Sequence, residues 1–286
     1  MLGGVPMERI AEELMLEQAI DFREESEALF VLLGTVSEHM WNQPTQFKGW
    51  TINDVIAHLH VGNYMADLSL TDSTAFVTFL QGMIATRPKG SGHLTFTHAW
   101  LHGIKDRVLL QQWRDFYVPM AERFAVADPR MRVKWAGPDM SVRSSITARL
   151  METWAHSQAV YDVLGHVRRD TDRVKNIAVL GVNTFGWTFT NRRLPVPPQM
   201  PAVRLAAPSG ALWTWGPSVA DDLIEGSAVE FCQVVTQVRN ITDTALRVVG
   251  ATATHWMSIA QCFAGPPETP PAPGSRYCTS IVDGAR

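Results

Sequence analysis

Only three cysteines occur in the 286 residues, Cys232, Cys262 and Cys278, far apart and without a CxxC pair. An odd and irregular count argues against a disulfide scaffold and fits a reducing, cytoplasmic setting. Lysine and arginine form no run and the formal net charge is −3, so there is no electrostatic basis for binding nucleic acid or an anionic membrane. No stretch approaches the ~20 consecutive apolar residues of a membrane span. The opening segment lacks a basic region followed by an apolar one, so no secretory signal is expected. A G-x-S-x-G elbow and a phosphate-cradling glycine loop are also missing. What is present is a 46% hydrophobic content, enough for a sizeable core in a chain long enough for two domains.

Helical periodicity organises the first half. Ile10, Leu14, Ala19, Phe22, Leu29, Leu32 and Leu33 keep helical spacing over residues 7–39. A loop through Pro44 leads to a second helix, from Thr51 to about Leu68. Phe76, Val77, Phe79, Leu80, Met83 and Ile84 predict a short apolar helix closed by residues 87–92. Residues 98–127 read as another helix, kinked at Pro119. A connector ending at Ser141, a natural N-cap, precedes the helix of residues 149–166, which Gly165 stops. Four main helices with antiparallel connections make an up-down bundle, its long second connection leaving the topology open.

The polar stretch 168–173 is the expected boundary. Domains are therefore placed at 1–168 (helical bundle), 169–264 (a small α+β domain) and 265–286 (a proline-rich tail). In the second, residues 177–189, 226–238 and 253–263 read as helices. Residues 202–207 and 211–216 read as two strands turning at Pro208-Ser209-Gly210.

Glu152 and His156, four positions apart, share one helix face. They are either a surface ion pair or two thirds of a metal site. A second helix offers His58, near the stripe of Ile52, Val55, Ile56 and Leu59, behind a capping box of Thr51 and Asp54. A single inward histidine is more often a hydrogen-bonded core residue. Three groups of zinc-ligand type on two helices are harder to dismiss. His60 points about 200° away from His58 around the helix and is not expected to share an ion. His98 and His102, at i and i+4, form a rival pair, read here as exposed helix-start residues with no acidic or cysteine partner at ligand spacing.

Gly49, Trp50, Thr51, Asp54, Val55, His58 and Leu59, followed by Arg149, Glu152 and His156, resemble the paired motifs of the DinB-like superfamily of metal-binding four-helix bundles. The resemblance is closest to the mycothiol-dependent maleylpyruvate isomerase family. It implies a mainly α fold, an N-terminal DinB-like bundle followed by a small α+β domain, with His58, Glu152 and His156 as metal ligands. It also implies that Arg239, at the end of the 226–238 helix, contacts a substrate carboxylate; the plain alternative is a solvated helix-end arginine. Three such ligands leave a tetrahedral Zn²⁺ one open position, with Ni²⁺, Fe²⁺ or Mn²⁺ as weaker candidates.

The expected function is that of a mononuclear metal-dependent enzyme. It would activate a low-molecular-weight thiol, or water, for isomerisation of, or transfer to, a small electrophile. A non-catalytic metal-containing binding or sensor protein is the alternative, and a metal-free bundle the third reading. The partner is a small molecule, and a homodimer stays open. Trp50, Trp135 and Trp154 are candidate pocket wall or core, and Asp162 a structural residue at a helix end.

Overall fold

The computed structural model describes residues 15–86, 94–218 and 221–279. The expectations for residues 7–14 and for the closure at 87–92 lie outside the described residues. The molecule is mainly α, with a small α+β part. The chain divides into two compact units, Met1–Gln43 with Thr51–Thr153, and Pro44–Trp50 with Trp154–Arg286.

The first unit contains α1 (Glu17–Gly34), α2 (Ile52–Thr71), α3 (Ser73–Ala85), α4 (Leu94–Trp100), α5 (Asp106–Val126) and the first turns of α6 (Val142–Val163). Two-residue strands β1 (Arg132–Val133) and β2 (Met140–Ser141) pair antiparallel ahead of α6. α1 and α2 both pack on α5. Phe22, Leu29, Leu33, Trp113, Tyr117 and Phe124 are fully buried there, each such side chain contributing about 1.5–3 kcal/mol. The expected N-cap at Ser141 is present, its hydroxyl accepting the Ser144 amide at 3.1 Å.

Helix directions follow from end-to-end contacts. The Leu16 amide donates to the Ala125 carbonyl, and Arg107 donates to the carbonyls of Gly34 and Val36, so α1 and α5 are antiparallel. Asn53 meets Asp106 at one end and Asp67 meets Arg123 at the other, so α2 and α5 are parallel. The alternation of an up-down bundle therefore fails at one place. α3 and α4 carry the chain back to the starting end before α5 begins, which is what the long second connection does.

That connection also corrects the reading of residues 98–127 as one helix. The helix breaks after Trp100, and α5 starts afresh at Asp106. His102 and Gly103 have φ of 49° and 82°, a left-handed backbone that cannot continue a helix, and Asp106, at φ 55°, is the residue from which α5 restarts.

In the second unit the later turns of α6 lead to α7 (Val174–Asn183) and α8 (Phe185–Asn191). The expected single helix over 177–189 is thus two, broken at Thr184, whose hydroxyl bonds back to the Leu180 carbonyl at 2.8 Å. β3 (Ala202–Ala206) and β4 (Leu212–Trp215) form the expected antiparallel pair. Two strands escaped the sequence reading, β5 (Leu223–Ser227) and β6 (Arg247–Val249). The sheet order is β4-β3-β5-β6, with β3 and β5 parallel. Gly226 and Ser227 belong to β5, so the helix expected over 226–238 is α9 (Ala228–Val235). The helix expected over 253–263 is α10 (Ala251–Ile259).

The proline-rich tail is tied down by hydrogen bonds. Asn240 donates to the Pro271 carbonyl at 2.8 Å, and the Asp243 carboxylate accepts the Gly274 amide. The Tyr277 amide donates to Gln46, and the Thr279 amide to the Asp162 carbonyl.

Candidate metal centre

The start of α2 is fixed by a full capping box. The Thr51 hydroxyl accepts the Asp54 amide at 3.1 Å, and the Asp54 carboxylate accepts the Thr51 amide at 2.8 Å. Four residues on, His58 faces α6. Its Nε2 lies 3.0 Å from Glu152 Oε2, with the two side chains 15% and 26% exposed. One ligand-type atom from each of His58, Glu152 and His156 lies within 4.8 Å of the others. It is the one such group of three or more His, Cys, Asp or Glu among the described residues.

The chemistry of the set suits a divalent ion. With bonds of about 2.0–2.2 Å, neighbouring ligand atoms around a tetrahedral Zn²⁺ sit about 3.4 Å apart. The His58–Glu152 spacing is already near that value. The widest spacing, at most 4.8 Å, needs closure of up to about 1.4 Å, within reach of a side-chain rotation. Three protein ligands, rather than the four of a closed structural site, leave one position open.

His156 is oriented by two aromatic rings that precede α2. Trp50 stacks on the imidazole at 5.6 Å and 11°, and Phe47 meets it edge-on at 4.8 Å. The turn that presents them is closed by the Trp50 amide donating to Phe47, and the Thr45 amide to Trp50. It passes through Lys48 and Gly49 at φ 53° and 70°, the second a place where glycine avoids strain. Trp50 is half-buried and lies flat against the His156 ring. Trp154 is core: it is fully buried, and its indole donates to Asp170 at 2.7 Å. Trp135 stacks on Phe76.

Arg149 stands one turn before Glu152 and is 3% exposed. Its guanidinium lies 4.0 Å from Glu152 Oε2, while Nε and Nη2 have no hydrogen-bond partner among the described residues. It fits because α2 carries glycine at position 62. A Cβ there would lie 2.0 Å from Nη1 and 2.9 Å from Cζ. Burial pulls the guanidinium pKa down and the Glu152 carboxylate opposes this, so charge on one supports charge on the other.

The remaining candidates fall elsewhere. His60 is buried against Trp100 and Phe116. Burial lowers its pKa to about 4, so it is a neutral packing group and not a member of the cluster. His98 and His102 do not share a helix face, since His102 lies beyond the end of α4. His98 is exposed, as expected, but it does have an acidic partner, Asp54 Oδ1 at 2.7 Å. Linear spacing could not show this because the two are 44 residues apart. Arg239 is not solvated: it forms a bidentate pair with Asp162 at 2.8 and 2.6 Å, the side chains 12% and 3% exposed. Asp162 has the structural role expected of it. Cys232 and Cys262 are buried, and burial pushes the Cys232 thiol well up, away from nucleophilic use.

Residues 22–161 match the family described as mycothiol maleylpyruvate isomerase N-terminal domain. Uncharacterised proteins of Mycobacterium tuberculosis, strains CDC 1551 / Oshkosh and H37Rv, are each 38% identical over 247 residues, covering 86% of this chain and 95% of theirs. The chain belongs to the mycothiol maleylpyruvate isomerase N-terminal domain family. The match spans α1 through most of α6, and so contains His58, Arg149, Glu152 and His156. The crystal structure of the mycothiol-dependent maleylpyruvate isomerase superposes with a TM-score of 0.51 at 14% identity, covering 76% of this chain and 87% of that one. At that identity the likeness is one of fold. Family membership and fold agree on a DinB-like bundle with a smaller α+β part.

Proposed function

We propose that this protein is a metal-dependent enzyme that activates a low-molecular-weight thiol and adds it to, or uses it to isomerise, a small electrophile. The observation that carries the reading is the convergence of His58, Glu152 and His156 from α2 and α6. Family membership makes mycothiol the first thiol to test, and an unsaturated carboxylic acid of the maleylpyruvate kind the first electrophile. Zn²⁺ is the first metal, from the borderline-soft nitrogen and oxygen donor set. No helix among the described residues is long and apolar enough to cross a membrane.

In this reading His58 and His156 bind as neutral imidazoles and Glu152 as a carboxylate. A bound Zn²⁺ would supply a Lewis acid that lowers the pKa of a thiol or water in its open position. Trp50 and Phe47 hold the His156 ring plane and keep water from that side of it. Arg149, its guanidinium 4.0 Å from Glu152 Oε2, backs the carboxylate that faces His58. The Asp162–Arg239 pair braces the end of α6; with Nη1 and Nη2 both bonded to Asp162, Arg239 serves position rather than substrate.

The test is metal quantification on wild-type protein and His156→Ala in parallel. About one ion per chain is expected in the first and a large loss in the second, with the helical circular dichroism retained. Replacing the ion by Co²⁺ should give a visible spectrum that shifts when thiol is added. Equal metal content in the two proteins would reject the ligand set, and a spectrum indifferent to thiol would reject the thiol step.

A further inference from the structure

Where the chain turns from α4 into α5 it lines a cleft of about 580 Å³, within the size range of small-molecule sites. The cleft lies wholly within the first unit, and none of the three candidate metal ligands lines it. Its walls are residues 102–108 and Glu38, and Trp41, from the short 3-10 helix Glu38–Asn42, forms its floor. Trp41 is 0% exposed, yet its indole N–H has no hydrogen-bond partner among the described residues. A buried donor without an acceptor is costly to keep, and an oxygen of a bound ligand would satisfy it.

The start of α5 adds further donors to the same cleft. The helix is 21 residues long, and its first-turn amides find no acceptor inside the helix. Its N-cap, Lys105, makes no side-chain cap. The Asp106 amide is taken by Asn53 Oδ1 at 2.7 Å. Those of Arg107 and Val108 have no acceptor among the described residues.

We propose that this cleft binds a small phosphate monoester. The phosphoryl oxygens accept from the first turn of α5 and from the Trp41 indole, and the apolar body of the ester lies against Ile104 and Val108. The site goes beyond the metal- and thiol-dependent reading and does not depend on it. The donors decide the class, since the formal charges nearly cancel. Lys105 stands exposed at the rim, and Arg107 spends its guanidinium on the uncharged carbonyls of Gly34 and Val36. Against them stand Asp106, turned to Asn53 Nδ2 at 2.8 Å, and Glu38, which is exposed. What remains is the partial positive charge of the helix start and N–H groups offered from two different elements. Three terminal phosphoryl oxygens can meet donors on several sides, which the two coplanar oxygens of a carboxylate cannot.

The experiment is nuclear magnetic resonance of the full chain labelled with ¹⁵N-tryptophan, the Trp41 indole N–H being assigned through its own side-chain and backbone resonances. Phenyl phosphate, inorganic phosphate, benzoate and phenol are titrated in turn at constant ionic strength. The Trp41 indole proton should move downfield and saturate with phenyl phosphate, respond more weakly to inorganic phosphate and to benzoate, and stay in place with phenol. Lys105→Glu should weaken phenyl phosphate about tenfold, and Trp41→Phe, which keeps the packing and loses the N–H, about three- to tenfold by calorimetry. Metal content should be the same in all three proteins. A Trp41 resonance unmoved by phenyl phosphate, an equal response to phenol, or wild-type affinity in Lys105→Glu would overturn the site. Benzoate bound as tightly as phenyl phosphate would overturn the phosphate class. If Trp41→Phe fails to fold, Lys105→Glu still decides, because its side chain is exposed.

Discussion

Gly62→Ala sets two known effects against each other at the contact between α2 and α6. Alanine inside a helix is favoured over glycine by about 1 kcal/mol. Here the new Cβ would stand 2.0 Å from Arg149 Nη1 and 2.9 Å from Cζ, so the guanidinium must move. A surface arginine would swing aside at little cost, but this one is 3% exposed and has no solvent to swing into. Parting it from Glu152 leaves both charges poorly compensated, at a cost of about 3–5 kcal/mol. The net expectation is a destabilisation of about 2–4 kcal/mol. Urea unfolding of metal-free protein followed by circular dichroism measures it, since bound metal would add its own stabilisation. In an Arg149→Met background the same substitution should recover most of its propensity gain, a coupling of about 3 kcal/mol. Chelator competition should show metal affinity reduced about 10–100-fold in Gly62→Ala, as for other residues that orient a ligand from behind. A Gly62→Ala protein as stable as wild type, or a penalty that survives in the Arg149→Met background, would refute the cradle argument.

Three further outcomes are expected. Asp162→Asn removes one partner of a buried bidentate pair and should cost about 3–5 kcal/mol in denaturant midpoint, whereas a loss below about 1 kcal/mol would mean that Arg239 finds another partner. Thr51→Val abolishes the hydroxyl of the capping box and should destabilise by about 1 kcal/mol; no change in thermal midpoint would mean that Asp54 and His98 hold the helix start without it. The third concerns pH. Burial alone would raise the Glu27 pKa, but the Tyr117 hydroxyl at 2.7 Å and the Arg114 guanidinium outweigh it and hold the carboxyl below its usual 4.5. The folded state thus binds that proton less tightly than the unfolded chain. Its contribution to stability is complete above about pH 4.5 and is lost as pH falls further. Tyr117→Phe should flatten the acid limb of a stability–pH curve, and an unaltered limb would contradict the assignment.

Much of this molecule is written in short-range pattern. Thr51 and Asp54 announce the start of α2, and Ser141 that of α6. Glu152 and His156 share a face because of their spacing alone, and His58 faces inward because of the stripe beside it. These features were legible because a helix turns side chains by a fixed angle per residue, and a cap needs a side-chain oxygen within three positions. The break at residues 101–105 was not legible. Its apolar residues keep helical spacing, and only the packing of α4 and α5 on α2 shows that the chain turns. β5 and β6 were missed because five and three residues give too little alternation to read, and because β5 finds its parallel partner β3 across the β3–β4 hairpin.

The residues around the cluster belong to the other category. That Arg239 is spent on Asp162, that Arg149 lies in the gap left by Gly62, and that Phe47 meets His156 are pairings across 77, 87 and 109 positions of chain. No local periodicity encodes such pairs. The sequence by itself determined where helix predominates and which groups of ligand type the second helix and the Val142–Val163 helix carry. Only the tertiary structure decided which charges neutralise each other, because burial and distance, not order along the chain, set the energy of a charge.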